Sequence, residues 1–422
     1  MQLYQRRSVM RPIILIIMLL ALFMLNACGN GNADNAEENK EPESKEIDQA
    51  MVADINQFSL ELLQQTDQSE PDANIFISPM SISLALGMTY NGAKGTTEAA
   101  MREVLNYGER ENIEINEFYK SLIDNLTALD TSVIMKIANS IWFRENYQLK
   151  QEFLELNRKY FDSRVEGINL DAEESIDIIN DWVSEKTNGK ISEIISYPVR
   201  PNVMMYLINA IYFKGSWTSE FDPERTRSMP FQVTAEKDTT VDMMYQKEEF
   251  SIFESEDFQA VELPYGDKSF AMTAILPAED KTPNDIISGM TSDGWSNWND
   301  SMHTEEIMLY LPKFKMRYSK TMNDMLISMG MGVAFDMDAD FKGMEPEGEL
   351  FISRVLHKTF VQVDEEGTEA AAVTAVEMMT KAAPERPKEI RFDRPFVFVI
   401  HEKTTGAIVF MGKIMQPVWE EG

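Results

Sequence analysis

A run of small residues near the C-terminus limits the folds open to this chain. It reads Gly367-Thr368-Glu369-Ala370-Ala371-Ala372-Val373-Thr374-Ala375-Val376, within a longer segment from Asp364 to Pro387. Before it, the alternating run Phe360-Val361-Gln362-Val363 reads as a strand. After it, Phe396-Val397-Phe398-Val399-Ile400 reads as another. A connection this long between two strong strands is uncommon in a compact domain and is usually functional. Its composition suits an exposed Ala-rich helix or linker. With period 2 it also makes a usable strand. One face would carry Thr368, Ala370, Ala372, Thr374 and Val376; the other would carry Glu369, Ala371, Val373, Ala375 and Glu377. Such small side chains can slide between two existing strands at little steric cost. Gly367 supplies a hinge, because it tolerates backbone angles closed to other residues. Both readings stay open on these residues alone.

The N-terminus is a targeting segment and lies outside the fold. Arg6, Arg7 and Arg11 precede the apolar run Pro12–Leu25, the pattern of a signal peptide over residues 1–27. Leu25-Asn26-Ala27-Cys28-Gly29 follows and resembles a bacterial lipobox. Cys28 is the only cysteine, so no internal disulfide can form. As a lipid-attachment site it would anchor the chain at the extracellular face of a bacterial membrane without a spanning helix. Residues 29–46 are acidic and poor in apolar side chains, the composition of a disordered tether.

From residue 47 to 418 no Gly/Ser- or Pro-rich linker divides the chain, so one large domain is expected. The whole chain carries a net charge of −31, which argues against nucleic acid as a partner. Apolar residues recur at helical spacing from Ile47 to about Gln65. Asn74-Ile75-Phe76-Ile77-Ser78-Pro79 is a short strand turning into an apolar helix, with Ser78 and Ser81 able to cap its start. Ile179 to Ile191 reads as a helix ended at Gly189. Leu207-Ile208-Asn209-Ala210-Ile211-Tyr212-Phe213 begins a long strand, and Ala260–Tyr265 and Phe270–Pro277 form a strand pair. This mixture implies an α+β fold with a large sheet. The three histidines, His303, His357 and His401, lack metal-ligand spacing, and no G-x-S-x-G elbow occurs. No cofactor, no metal and no enzymatic activity is expected.

Glu365-Glu366-Gly367-Thr368-Glu369-Ala370-Ala371-Ala372 closely resembles the hinge of the serpin reactive-centre loop. Asn74–Glu98, Phe392–Phe396 and Val409–Ile414 resemble that family's other signatures. The resemblance implies the serpin fold, with a large central β-sheet, further sheets and about eight or nine helices. It also implies a helix across the front of the main sheet and an exposed reactive-centre loop over residues 365–391. Loop insertion as a new strand is the family's strain-releasing switch. The hinge would comprise Glu365, Glu366, Gly367, Thr368, Glu369, Ala370, Ala371, Ala372 and Thr374. Ser78, Ser81, Asn209 and His357 match a buried polar cluster where the sheet opens, and Trp217 matches a tryptophan at its top. The implied activity is inhibition of serine proteases by a monomer.

Counting fourteen residues on from Gly367 places the bait bond at Lys381-Ala382, which suits a trypsin-like pocket. The segment from Ala382 to Phe392 exceeds the usual family spacing by about three residues, so the bond could shift. Met378 or Met379 would suit subtilisin- or chymotrypsin-like enzymes, and a cysteine protease stays open as a target. Arg386-Pro387 is a poor candidate because of its proline. Two other functions compete: a non-inhibitory serpin-like binding lipoprotein, and a ligand-binding lipoprotein read from the anchor alone.

Overall fold

The computed structural model describes residues 47–201, 203–347, 350–368 and 387–420. Cys28 and the tether therefore lie outside the described residues. So do Glu369, Ala370, Ala371, Ala372, Thr374, Met378, Met379, Lys381 and Ala382.

The first helix, Gln49–Ser69, starts at Asp48, whose carboxylate accepts from the Ala50 and Met51 amides at 3.0 and 3.2 Å. It buries Met51, Ile55, Phe58, Leu62 and Leu63 on the face that the spacing of its apolar residues marks. The strand Ile75–Ile77 ends at Ser78, which caps the helix Pro79–Tyr90 by accepting from the Ser81 amide. Pro79 fits the first turn, where its missing N–H would have had no partner. All twelve residues of this helix are buried. A helix apolar on every side must be enclosed. It lies between the strands Met205–Ser216 and Ile408–Ile414, one from each of the two sheets.

One sheet has nine strands, eight of them along a single path. Its order is Ile75–Ile77, Ile408–Ile414, Phe396–Glu402, Phe270–Pro277, Phe258–Tyr265, Lys237–Glu254, His303–Pro312 and Lys388–Arg391, with Arg227–Thr234 branching from Lys237–Glu254. The other has six strands, in the order Phe314–Thr321, Leu356–Val363, Gly367–Thr368, Met205–Ser216, Ile134–Arg144 and Arg164–Ile168. Nine α-helices occur among the described residues.

The six-stranded sheet is covered on both faces. Along Met205–Ser216, Leu207, Ile211 and Phe213 enter the large core beside the enclosed helix. Tyr206, Ile208 and Ala210 enter a second core with Ile179, Trp182 and Val183 of the helix Glu173–Lys186. Burial on both sides is why this strand reads as an unbroken apolar run and not as an alternation. The helix lies across the sheet, as the family resemblance implies, and stops at Lys186. Asn188 and Gly189, both with positive φ, then turn the chain into a connector running to Val203.

A buried ion pair ties the two ends of the domain together. Lys413, fully buried on the strand Ile408–Ile414, donates to the Asp67 carboxylate near the end of the first helix. It also donates to the Pro71 carbonyl at 2.8 Å. Removing one member leaves the other charged, buried and unpaired. Lys413→Met is expected to lower stability by about 3–5 kcal/mol. Asp67→Leu combined with Lys413→Met should recover a large part of that loss. Urea-unfolding midpoints of the three variants check this.

Candidate functional site at the mouth of the six-stranded sheet

The strands Leu356–Val363 and Met205–Ser216 run parallel and flank the short strand Gly367–Thr368. At the base they share the bridge Leu207↔Val355, and no ladder joins them directly beyond it among the described residues. At the mouth Thr368 sits between them, paired with Val363 on one side and Gly215 on the other. The chain leaves the strand at Val363, turns through Asp364, Glu365 and Glu366, and returns into the gap at Gly367.

Gly367 has φ 146°, and a Cβ there would come within 2.2 Å of the Gly215 carbonyl oxygen. Only glycine permits this approach. Gly215 opposite it is also constrained, since a Cβ would meet the Tyr265 ring at 3.0 Å. Thr368 is buried, and its hydroxyl lies 2.7 Å from the Tyr265 hydroxyl. Trp217 stacks on Tyr265 with ring centroids 4.5 Å apart. Its indole N–H donates to the Asp364 carbonyl at 2.9 Å, and its amide donates to the Glu366 carbonyl at 2.9 Å. The Phe221 amide donates to the Glu365 carbonyl at 2.9 Å.

Glu365 is the charged anchor of the turn. Its carboxylate pairs with Lys313 at 2.6 Å and accepts from the Thr226 hydroxyl at 2.7 Å. Burial pushes its pKa up, but Lys313 and Thr226 outweigh burial and hold it below the usual carboxylate value. Glu366 is shifted the other way, by burial and by the carboxylates of Asp364, Glu220 and Glu365. Trp419, near the C-terminus, lies over Lys313, its ring centroid 5.2 Å from the ammonium, beside the edge strand Phe314–Thr321.

A second group of contacts lies lower in the same sheet. The Ser78 amide donates to His357 Nε2 at 3.0 Å. An amide can only donate, so Nε2 is unprotonated and the neutral ring carries its proton on Nδ1. The Ser78 hydroxyl donates to the Val409 carbonyl at 2.8 Å, and the Ser81 hydroxyl donates to Asn209 Oδ1. Asn209 donates to Asn139 Oδ1 at 2.5 Å, and Asn139 donates to the Phe161 carbonyl at 2.9 Å. These side chains are all buried. The chain of hydrogen bonds links the enclosed helix with strands on both sides of the gap.

The structure thus brings Ser78, Ser81, Asn209 and His357 together, and sets Trp217 against Asp364, Glu366 and Gly367. Asn139, Tyr265, Thr226 and Lys313 complete the two groups and were not found from sequence. Asn139 carried a usable signal, a lone Asn inside the apolar run Ile137–Phe143. The others carried none, since each meets its partner across a sequence distance that no local pattern encodes. Among the described residues, no group of His, Cys, Asp or Glu is arranged to hold a metal ion.

The serpin family profile, described as "Serpin (serine protease inhibitor)", matches residues 53–417. The chain belongs to the serpins. It is 33% identical to human neuroserpin over 380 residues, covering 87% of this chain and 91% of that one. It is 35% identical to the leukocyte elastase inhibitor of Sus scrofa over 372 residues, covering 85% and 97% of the two chains. The solved structure of tengpin, a thermophilic serpin in its native state, superposes with a TM-score of 0.81 at 32% identity, covering 88% of this chain and 95% of tengpin. Membership supports serpin-type inhibition of serine proteases as the general activity.

Two outcomes follow from the geometry of the serpin's sheet. Burial pushes His357 down to about 3, from an unfolded value of 6.5. Below pH 6.5 the unfolded chain takes up a proton that folded His357 refuses. Stability is therefore full above that pH and falls as pH drops toward 3, by at most about 1.4 kcal/mol per pH unit from this group. His357→Asn should remove that share of the slope in urea-unfolding midpoints between pH 7 and 4. The share from His401, also buried and shifted down, should persist. Separately, Lys313→Met removes a charge-assisted bond worth about 1.5–3 kcal/mol. Amide exchange at Glu366 and Gly367 should then quicken roughly 10- to 100-fold, read by mass spectrometry.

Proposed function

We propose that this serpin traps serine proteases in a suicide reaction with Lys381-Ala382 as the bait, held at the extracellular face of a bacterial membrane by a lipid on Cys28. The observation that carries the reading is the entry of Gly367 and Thr368 between two parallel strands. The residues that follow in sequence are small enough to continue the same path. In the proposed reaction the protease serine attacks the Lys381 carbonyl, and its proton passes to the departing amine of Ala382. The Lys381-Ala382 bond breaks and an ester to the protease forms. The freed segment then enters the sheet from Thr368 onward, before water reaches the ester.

The energetic support is main-chain pairing. An inserted strand of about ten residues bonds to neighbours on both sides, at about 1 kcal/mol net per bond, for a gain on the order of 10 kcal/mol. The uncleaved form is then kinetically stable, a state that many large proteins occupy. Lys381 suits a pocket with an acid at its base, which makes trypsin-like enzymes the leading targets.

The test is incubation of residues 47–422 with trypsin and, separately, with subtilisin, followed by denaturing gels and sequencing of the released fragment. A detergent-stable trypsin complex with a fragment beginning at Ala382 is expected. A complex with subtilisin alone, cut beside Met378 or Met379, would keep trapping and move the bait. Cleavage without any complex would sink the inhibitory reading. Thr368→Arg supplies a second check. It forces an unpaired charge against Tyr265 as the loop enters, so cleavage should continue while complex yield falls at least tenfold.

A further inference from the structure

The base of the six-stranded sheet holds a cavity of about 410 Å³, within the range of small-molecule sites. One wall is the connector that follows the helix Glu173–Lys186, through its residues Ile194 to Arg200 and Val203. The opposite wall is formed by the ends of two strands, Ser319–Thr321 and Arg354–Lys358. Tyr206 forms part of the lining, and His357 of the buried polar cluster reaches it too.

Its charge is the opposite of the chain's. The protein carries a net charge of −31, yet four cationic residues line this cavity and no carboxylate does among the described residues. They are Arg200, Lys320, Arg354 and Lys358. Lys320 is paired with Glu70 at 2.6 Å, so part of its charge is met. Lys358 donates to the Glu193 carbonyl at 2.5 Å, which satisfies a hydrogen bond and leaves its charge. The Arg200 side chain makes no hydrogen bond or ion pair among the described residues, although its carbonyl accepts from the Val203 amide at 3.0 Å. Guanidinium groups on facing walls match the forked geometry of phosphate and sulfate oxygens. A concave, cation-lined surface also concentrates anions in an otherwise repelling field.

The position adds a consequence. Tyr206 and Arg354 immediately precede Leu207 and Val355, the bridge that closes the base. A strand inserted along the whole gap must part that bridge, and the connector must give way. A ligand held by Arg200 on the connector and by Arg354 and Lys358 on the strand would fasten these parts together.

We propose that this cavity binds a small molecule bearing phosphate or sulfate groups, and that the bound ligand holds the base of the sheet closed and restrains loop insertion. The regulatory half rests on the trapping reading given above; the binding half does not.

Inorganic pyrophosphate is the probe, titrated by calorimetry into the full chain in detergent, with chloride at matched ionic strength as the control. Arg200→Gln combined with Arg354→Gln is expected to weaken binding at least tenfold. Should the double variant fail to fold, Arg200→Gln alone carries the comparison, because that side chain is exposed. Saturating pyrophosphate is expected to lower the yield of protease complex at least fivefold with the native chain and leave the variant unaffected. Equal affinity of native and variant overturns the site. Binding that leaves complex yield unchanged overturns the regulation. Complex yield without pyrophosphate is measured alongside, so a failure of trapping itself is told apart. In that event, binding lost in the variant still supports the site, and absence of binding overturns it.

Discussion

The structure depends on one unusual relation between two strands. Leu356–Val363 and Met205–Ser216 are parallel, share the Leu207↔Val355 bridge at the base, and admit Thr368 between them at the mouth. Buried main-chain N–H and C=O groups must find partners. Two strands in this relation are therefore matched to a third, and the chain carries its own candidate one turn beyond Val363. The enclosed helix Pro79–Tyr90, the helix Glu173–Lys186 across the other face and the connector to Val203 all bear on whether these strands stay together or part.

The contacts that hold this arrangement are polar where most of the interior is apolar. At the mouth they are Lys313 with Glu365, Trp217 with the turn carbonyls, and Tyr265 with Thr368. Midway down they are the bonds from His357 through Ser78 and Ser81 to Asn209 and Asn139. Interdigitated apolar side chains resist sliding, because a small displacement opens voids. Hydrogen bonds of defined direction can be broken one at a time and remade with new partners. Satisfied networks of this kind also fix a unique arrangement, since any member left unpaired in a low-dielectric interior is costly. Strands that must hold and later separate are served by such contacts better than by more leucine.

Much of this was legible in the sequence, for reasons that differ by residue. Gly367 was legible because a single glycine between an acidic turn and an Ala-rich run has few other uses. Ser78 was legible because a capping residue before Pro79 marks a helix start from local chemistry alone. The strand at Leu207 was legible as an apolar run, although only the structure explains the lack of alternation. The end of the helix near Gly189 was read a turn late: the helix stops at Lys186, and Asn188 and Gly189 belong to the turn after it. Tyr265, Thr226 and Lys313 were not legible. Lys313 and Glu365 are an ion pair only because the edge strand Phe314–Thr321 and the hinge turn arrive at the same corner of the sheet.

The sequence by itself determined the family, the kind of elements and the small-residue run, because hydrophobic period, caps and glycine positions are local properties. It also set the overall negative charge. The tertiary structure alone decided which polar groups meet. It brought His357 to the Ser78 amide, placed Thr368 between two strands, and gathered four cations into one cavity at the base of the sheet of a strongly acidic protein. Each of those pairings spans many residues of chain. It exists only because packing of the two sheets around the enclosed helix fixes where distant segments lie.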